Sequence, residues 1–402
     1  MTDVIGKVGV VGLGVMGFDI AFLYAIRGCQ TLVFDASKTA MDTLTSRSGV
    51  TIERLKRRNR ITDVEIENVR NGLIPAAALE DLARMDLVTE AVSENAKTKL
   101  AVYQALREAG FVGILTTNTS SLSRATLVGG GVYDPKKFAL THFFNPVLYT
   151  QMVEVVKGDM KAASFDSVIA FLKDLGRQPV ETKDISGFVS NSILMYYAVM
   201  ALRLLQCGAR IEDVDQAAKE LGILPPFISF DSWKPSIVED VTRVMFELRG
   251  DEFLSSSKLL GVLAKENPKF YVDQKPNAQI YQWIATPKRA VNAKSIRSAL
   301  TTVIHIASAR VVELGESPAT VDFVATEGVK IPHPPLKEID NLGPVAVLQE
   351  LAEINYEIPE VSLNPPQLLT AMAGEGETFY KDDQPNPWLL SQVKVPNAHA
   401  SH

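Results

Sequence analysis

The chain holds only five histidines, and one of them stands in Thr141-His142-Phe143-Phe144-Asn145-Pro146-Val147. Phe138-Ala139-Leu140-Thr141 reads as a strand and Asn145-Pro146 as the turn that stops it, so His142 falls at a strand end. There it either fills a structural role or acts as an acid or base, because imidazole is the side chain that titrates near neutrality. A second group points to an anionic ligand. Lys7-Val8-Gly9-Val10-Val11 reads as a short buried strand, followed by Gly12-Leu13-Gly14-Val15-Met16-Gly17 and an apolar helix through Ile26. This is G-x-G-x-x-G between a strand and a helix. Gly12 makes the turn, Gly14 lets backbone approach a pyrophosphate, and Gly17 lets helix and strand pack closely. Thr31-Leu32-Val33-Phe34-Asp35 reads as the next strand, ending in an acid eighteen residues after Gly17. A carboxylate there accepts from a ribose 2′-hydroxyl and repels a 2′-phosphate, so the expected cofactor is NAD. Asp19, in the first turn of the helix, adds negative charge near that site. A third group has the opposite sign: Arg54-Leu55-Lys56-Arg57-Arg58-Asn59-Arg60 is either a solvated helix face or a place for phosphates.

The elements that would hold these groups can be read along the chain. With 402 residues, 46% of them hydrophobic, the chain is long enough for two or three globular domains. A net charge of −6 gives no reason to expect a nucleic-acid partner. Cys29 and Cys207 lie far apart without histidine neighbours, which argues against a disulfide or a metal site and for a reducing, cytoplasmic compartment. The N-terminus does not read as a signal peptide, and no apolar run is read as a membrane span. After Asp35 a long helix is expected from about Lys38, then strands at Met85–Glu90 and Val112–Thr116 separated by a helix after Glu94. Further strands are expected at Phe138–Thr141, Gln151–Val156 and Pro179–Thr182. Strands alternating with helices imply a parallel, doubly wound α/β sheet of Rossmann type over residues 1–185. From Ser186 the pattern turns all-α.

Six motifs in one order, GLGVMG, EAVSEN, NTSSL, HFFNP, VEVV and DISGFVSN, resemble the L-3-hydroxyacyl-CoA dehydrogenase family, NAD-dependent enzymes of β-oxidation. The resemblance spans roughly residues 5–385. It implies oxidation of an L-3-hydroxyacyl-CoA thioester to the 3-oxoacyl-CoA, with His142 as base and Glu154 orienting it. It places Ser120 and Asn191 on the substrate oxygen, and Glu94, Lys99, Asn118 and Asn145 on the cofactor beside the glycines and Asp35. Counted from Asp35, the family's CoA-contacting hydroxyl and lysine fall on Thr51 and Arg58, with Lys56 and Arg57 as neighbouring candidates for the CoA phosphates. Two departures fall beside the implied pocket and bear on the acyl group. Val147-Leu148-Tyr149-Thr150-Gln151 replaces the Pro-x-Met stretch of many relatives, and Ser190 and Ser192 flank Asn191. Two other readings compete. A β-hydroxyacid dehydrogenase acting on a free acid shares the GLGxMG turn but uses a lysine in place of HFFNP. A non-catalytic NAD-binding protein on the same scaffold needs none of these polar groups.

The helical half contains an internal repeat. Pro225-Pro226 recurs 109 residues on as Pro334-Pro335, and Asp231/Asp340, Pro235/Pro344, Leu259-Leu260/Leu368-Leu369 and Phe270-Tyr271/Phe379-Tyr380 keep that offset. Upstream the offset is 107, as in Arg203/Arg310, Gly208/Gly315 and Asp215/Asp322. Two helical units are therefore expected, 186–285 and 286–390, joined across the polar stretch 272–292 and followed by a mobile tail, 391–402. Asn191 pairs with Ser298, so the second unit is expected to be structural. Single-copy relatives dimerise through this domain. Either a monomer with an internal pseudo-dimer or a homodimer is expected.

Overall fold

The computed structural model describes residues 5–129, 131–255, 257–284, 291–358 and 363–392. Two compact units emerge, Met1–Asp184 and Ile185–His402.

The first unit opens with β1 (Lys7–Val11), α1 (Val15–Ile26) and β2 (Gln30–Phe34). Four of the five β1 residues are buried, as a strand covered on both faces requires. Three helices follow: α2 (Lys38–Asp42), α3 (Leu44–Lys56) and α4 (Asp63–Gly72). Ser37 caps α2 by accepting from Ala40 N, and Thr62 and Glu65 form a capping box on α4. Helix α3 buries Leu44, Ser48, Thr51, Ile52 and Leu55, a helical stripe that turns Arg54 and Lys56 outward. The unit continues with β3 (Leu73–Pro75), β4 (Leu87–Glu90), α5 (Ala96–Glu108), β5 (Ile114–Thr117) and α6 (Arg124–Val128). It closes with β6 (Phe138–Phe143), β7 (Met152–Val156), α7 (Ala162–Asp174) and β8 (Gln178–Glu181).

These strands form one sheet in the order β3-β2-β1-β4-β5-β6-β7-β8. The first six are mutually parallel in the doubly wound order. The last two correct the expectation of a wholly parallel sheet, because β7 runs antiparallel to β6 and β8 runs parallel to β7. The reason is the link. Eight residues separate Phe143 from Met152, whereas a parallel crossover needs about a dozen or more. The short edge strand β3 was not legible in the sequence; its three residues carry no periodic signal.

The second unit contains α8 (Phe188–Gln206), α9 (Ile211–Glu220), α10 (Pro226–Trp233), α11 (Pro235–Arg249), α12 (Lys258–Glu266) and a hairpin, β9 (Tyr271–Val272) with β10 (Lys275–Pro276). Then come α13 (Ala293–Glu313), α14 (Pro318–Phe323), α15 (Pro335–Leu342), α16 (Pro344–Glu357) and α17 (Gln367–Glu375). A second hairpin, β11 (Tyr380–Lys381) with β12 (Gln384–Pro385), precedes α18 (Leu389–Gln392). Helix α8 packs along α13. By length and composition α8 could cross a membrane, which the sequence reading did not recognise, but most of it is buried in the folded chain. The polar stretch taken as a connector contains the first hairpin and a helical turn at Ala278–Trp283, while residues 285–290 lie outside the described residues. Of the expected tail, 393–402 also lies outside them.

Two aspartates organise each hairpin, one buried (Asp215, Asp322) and one half-buried (Asp231, Asp340). Asp215 accepts from Phe227 N at 2.8 Å and Tyr271 Oη at 3.0 Å, and Asp231 accepts from Phe270 N at 2.6 Å and Tyr271 N at 3.1 Å. Asp322 accepts from Leu336 N at 2.8 Å and Tyr380 Oη at 2.7 Å, and Asp340 from Phe379 N at 2.8 Å and Tyr380 N at 2.9 Å.

Candidate active site

The glycine turn is tight for identifiable reasons. Gly12 has φ +93°, and a Cβ there would lie 2.7 Å from the Ala91 carbonyl group. A Cβ on Gly17 would lie 1.8 Å from the Gly12 oxygen, so helix and turn could not approach as they do. Gly14 differs: its missing Cβ faces open space at the exposed N-terminus of α1. Protein packing does not demand glycine there, but close approach of a pyrophosphate to the helix N-terminus does. Asp35 stands just past β2. Its carboxylate accepts from Leu13 N at 2.6 Å and Ser37 N at 2.7 Å, which ties the acid to the turn. The donor set fits a dinucleotide.

Antiparallel pairing of β6 and β7 sets His142 directly across from Glu154. The His142 Nδ1 to Glu154 Oε2 distance is 2.9 Å, with both residues buried. A hydrogen on Nδ1 is donated to the carboxylate, which leaves Nε2 as the basic nitrogen of the neutral ring. Next to His142, Phe143 N donates to Asn118 Oδ1 at 3.2 Å. The Asn118 carbonyl accepts from the Lys99 ammonium at 3.0 Å, and that ammonium also donates to Glu90 at 2.9 Å. Lys99 is wholly buried, and its ammonium also lies 3.8 Å from Glu94. Glu90 further accepts from Thr117 Oγ1 at 2.6 Å, Val92 N at 2.7 Å and Tyr103 Oη at 2.8 Å. Burial and the Glu90 charge both push the Tyr103 phenol well above its ordinary range.

Glu94 builds the turn that carries Ser120. One of its oxygens accepts from Thr119 Oγ1 at 2.6 Å, from Ser120 N and Ser121 N at 2.8 Å, and from Ser121 Oγ at 2.9 Å. Burial alone would raise the Glu94 pKa, but the Lys99 charge and these donors outweigh it and hold the carboxyl below the usual range.

A cleft of about 600 Å³ opens beside the glycine turn, lined by Asp19, Arg47, Thr51, Arg54, Arg58, Asn145 and Tyr149 among others. Burial raises the Asp19 carboxyl, and Arg54 and Arg47 partly oppose the shift. Thr51 and Arg58 line this cleft, whereas Lys56 and Arg57 do not. Arg54 lines it too, because helical spacing puts residues 47, 51 and 54 of α3 on one stripe, with Arg58 just past the helix end. Arg58 donates to Tyr149 Oη at 3.2 Å, and the Arg60 guanidinium lies 5.1 Å from the Tyr149 ring centre. In the sequence Tyr149 stands out only as a departure from the family stretch and Arg47 not at all, while an acid closing the β4 strand is the available signal for Glu90. In the helical unit, Asn191 lies in the first turn of α8, behind the left-handed Gly187 at φ +81°. Ser192 beside it donates to Phe188 O and accepts from Arg249 Nη2 at 2.7 Å.

Comparison with known proteins identifies the family. Residues 7–185 match the family model for the 3-hydroxyacyl-CoA dehydrogenase NAD binding domain, and 187–283 match that for the C-terminal domain. A 3-hydroxybutyryl-CoA dehydrogenase of Mycobacterium tuberculosis is 34% identical over 223 residues, covering 54% of this chain and 77% of the relative. A fatty acid oxidation complex subunit alpha of Pseudomonas syringae is 26% identical over 402 residues, covering 93% of this chain. The chain spans 55% of that subunit's length. In fold, it resembles a 3-hydroxybutyryl-CoA dehydrogenase from Escherichia coli with TM-score 0.75 at 22% identity, over 92% of this chain and 98% of the other. Its NAD-binding first unit, its helical second unit and this similarity together show that the chain belongs to the 3-hydroxyacyl-CoA dehydrogenase family.

Proposed function

We propose that the protein is an NAD-dependent 3-hydroxyacyl-CoA dehydrogenase that interconverts an L-3-hydroxyacyl-CoA and its 3-oxoacyl-CoA. The observation that carries this reading is the buried His142–Glu154 pair, 2.9 Å apart on adjacent antiparallel strands. NAD, when bound, supplies the hydride acceptor. The other roles belong to the chain. His142 Nε2 takes the proton of the 3-hydroxyl during oxidation and returns it during reduction. Glu154 accepts from Nδ1, keeps the useful tautomer and stabilises the imidazolium that forms. Ser120, on the turn held by Glu94, hydrogen-bonds the 3-oxygen in both the alcohol and the ketone. The family resemblance assigns Asn191 the same duty. Gly12, Gly14, Gly17 and Asp35 receive the dinucleotide, Asn118 and Asn145 border it, and Glu94 and Lys99 shape its surroundings. Thr51, Arg54 and Arg58 receive the phosphates of the CoA thioester.

We also infer that 186–285 and 286–390 are two copies of one helical unit paired within the chain. Matching aspartate–tyrosine hairpins and the packing of α8 along α13 support this. Ser298 stands where the first copy has Asn191, and its hydroxyl donates to Glu350.

The deciding assay is a panel of 3-oxoacyl-CoA thioesters of different length and bulk with NADH, run beside free 3-hydroxy acids with NAD. Thioester turnover that collapses in His142→Gln while NADH binding persists is the expected result. Turnover of free acids alone, or an unimpaired His142→Gln variant, would reject the assignment.

A further inference from the structure

Arg47 on α3 has no part in the mechanism above, yet its guanidinium is anchored on the glycine turn. Nη1 donates to Leu13 O at 2.6 Å and Nη2 to Gly14 O at 3.2 Å. The guanidinium carbon lies 4.1 Å from the centre of the Phe18 ring, which fixes its plane. Asp35 holds the other end of the same residue, accepting from Leu13 N at 2.6 Å. One residue of the turn therefore carries a carboxylate on its N–H and a guanidinium on its carbonyl. Asp35 acts electrostatically on Arg47, as does Asp19. In dinucleotide-binding turns of this kind the acid after the second strand serves a ribose 2′-hydroxyl, while an arginine nearby serves a 2′-phosphate. Both kinds of group are built in here.

We propose that Arg47 is a latent 2′-phosphate ligand behind the carboxylate gate: Asp35 bars NADPH, and Arg47 is the cation that a 2′-phosphate meets once the Asp35 charge is removed. In the native chain Arg47 braces the turn and screens the two carbonyls from the approaching pyrophosphate. Its charge also offsets those of Asp35 and Asp19, so the discrimination rests on a single carboxylate. The inference depends on NAD binding at the first unit and on no step of the reaction.

The test is a double-mutant cycle on cofactor affinity, read by the fluorescence of bound NADH and NADPH on the full chain. Asp35→Ser should raise NADPH affinity relative to NADH by about tenfold or more, the scale of one charge-assisted hydrogen bond. Adding Arg47→Gln, which can still donate to a carbonyl but carries no charge, should remove most of that gain. Adding Arg47→Lys should keep part of it, since the charge remains without the fork. If Arg47 only braces the turn, Arg47→Gln will weaken both cofactors alike and leave their ratio unmoved in the Asp35→Ser background, which overturns the proposal. Thermal melts of each variant separate a lost fold from a lost contact. Failure of the unaltered chain to bind NADH would overturn the cofactor reading itself, whatever the dehydrogenase assay reports.

Discussion

Glu154 can be replaced so that orientation and charge are lost separately. In Glu154→Gln the amide oxygen still accepts from His142 Nδ1, so the tautomer is kept, but no negative charge faces the imidazolium. The native contact, 2.9 Å long between two buried side chains, is charge-assisted once the ring is protonated. Hydrogen bonds to charged groups contribute roughly 1.5–3 kcal/mol, against about 0.5–1.5 for neutral ones. The loss in the transition state is therefore about 1–1.5 kcal/mol, or roughly 5- to 13-fold in kcat. Glu154→Ala removes the acceptor as well, and the expected loss grows toward the full range of general base catalysis, roughly 10²- to 10⁴-fold. The assay is steady-state reduction of acetoacetyl-CoA with NADH, with NADH affinity measured by fluorescence as a control that should not move. Near-native kcat in Glu154→Gln would show that the carboxylate charge is irrelevant. Equal losses in both variants would show that orientation is not what Glu154 provides. Either result refutes the reasoning.

Lys99→Met should lower stability by about 3–5 kcal/mol, because it strips the cation from a buried carboxylate. For a unit of this size that is a fall in melting temperature of roughly 6–20 °C, readable by calorimetry. The depressed Glu94 pKa contributes stability that is fully present above the unfolded carboxylate pKa and lost as pH falls through the folded one. Glu94→Gln should accordingly flatten the decline of melting temperature with acidification; an unchanged slope would count against it. Truncating the chain before α13 should uncover the α8 face that α13 covers and produce aggregates or new dimers in light scattering, whereas a soluble, active monomer would defeat the pseudo-dimer reading.

What the sequence disclosed is what is local. A strand, a glycine turn, a helix and an acid after the next strand are consecutive, and each carries its own steric or electrostatic signature. The direction of β7 is not of that kind. Its residues fit a buried strand of either direction, and only the eight-residue link decides between them. The motif order associates Glu154 with His142, but the residue pattern alone has no means of setting them opposite each other. Arg47 was overlooked because its partners are backbone carbonyls 33 and 34 positions away, which leave no trace in residue type. A basic run looks uniform in sequence, and only the folded chain separates Arg54 and Arg58, which line the cleft, from Lys56 and Arg57, which do not.

The same short link has a consequence for how this protein could change its substrate. The His142–Glu154 pair is locked by strand register, and a one-residue slip of β7 would turn Glu154 to the face of the sheet opposite His142. Between them runs the loop 144–151, whose Asn145, Pro146 and Tyr149 border the cleft. Loops tolerate altered length and composition far better than register does. If the proposed roles hold, chemistry and thioester recognition are thus written on neighbouring but separable stretches of chain. On the proposed reading, a library confined to 147–151, which spares Asn145, offers a route by which new acyl groups could be explored while the residues assigned to the reaction are kept.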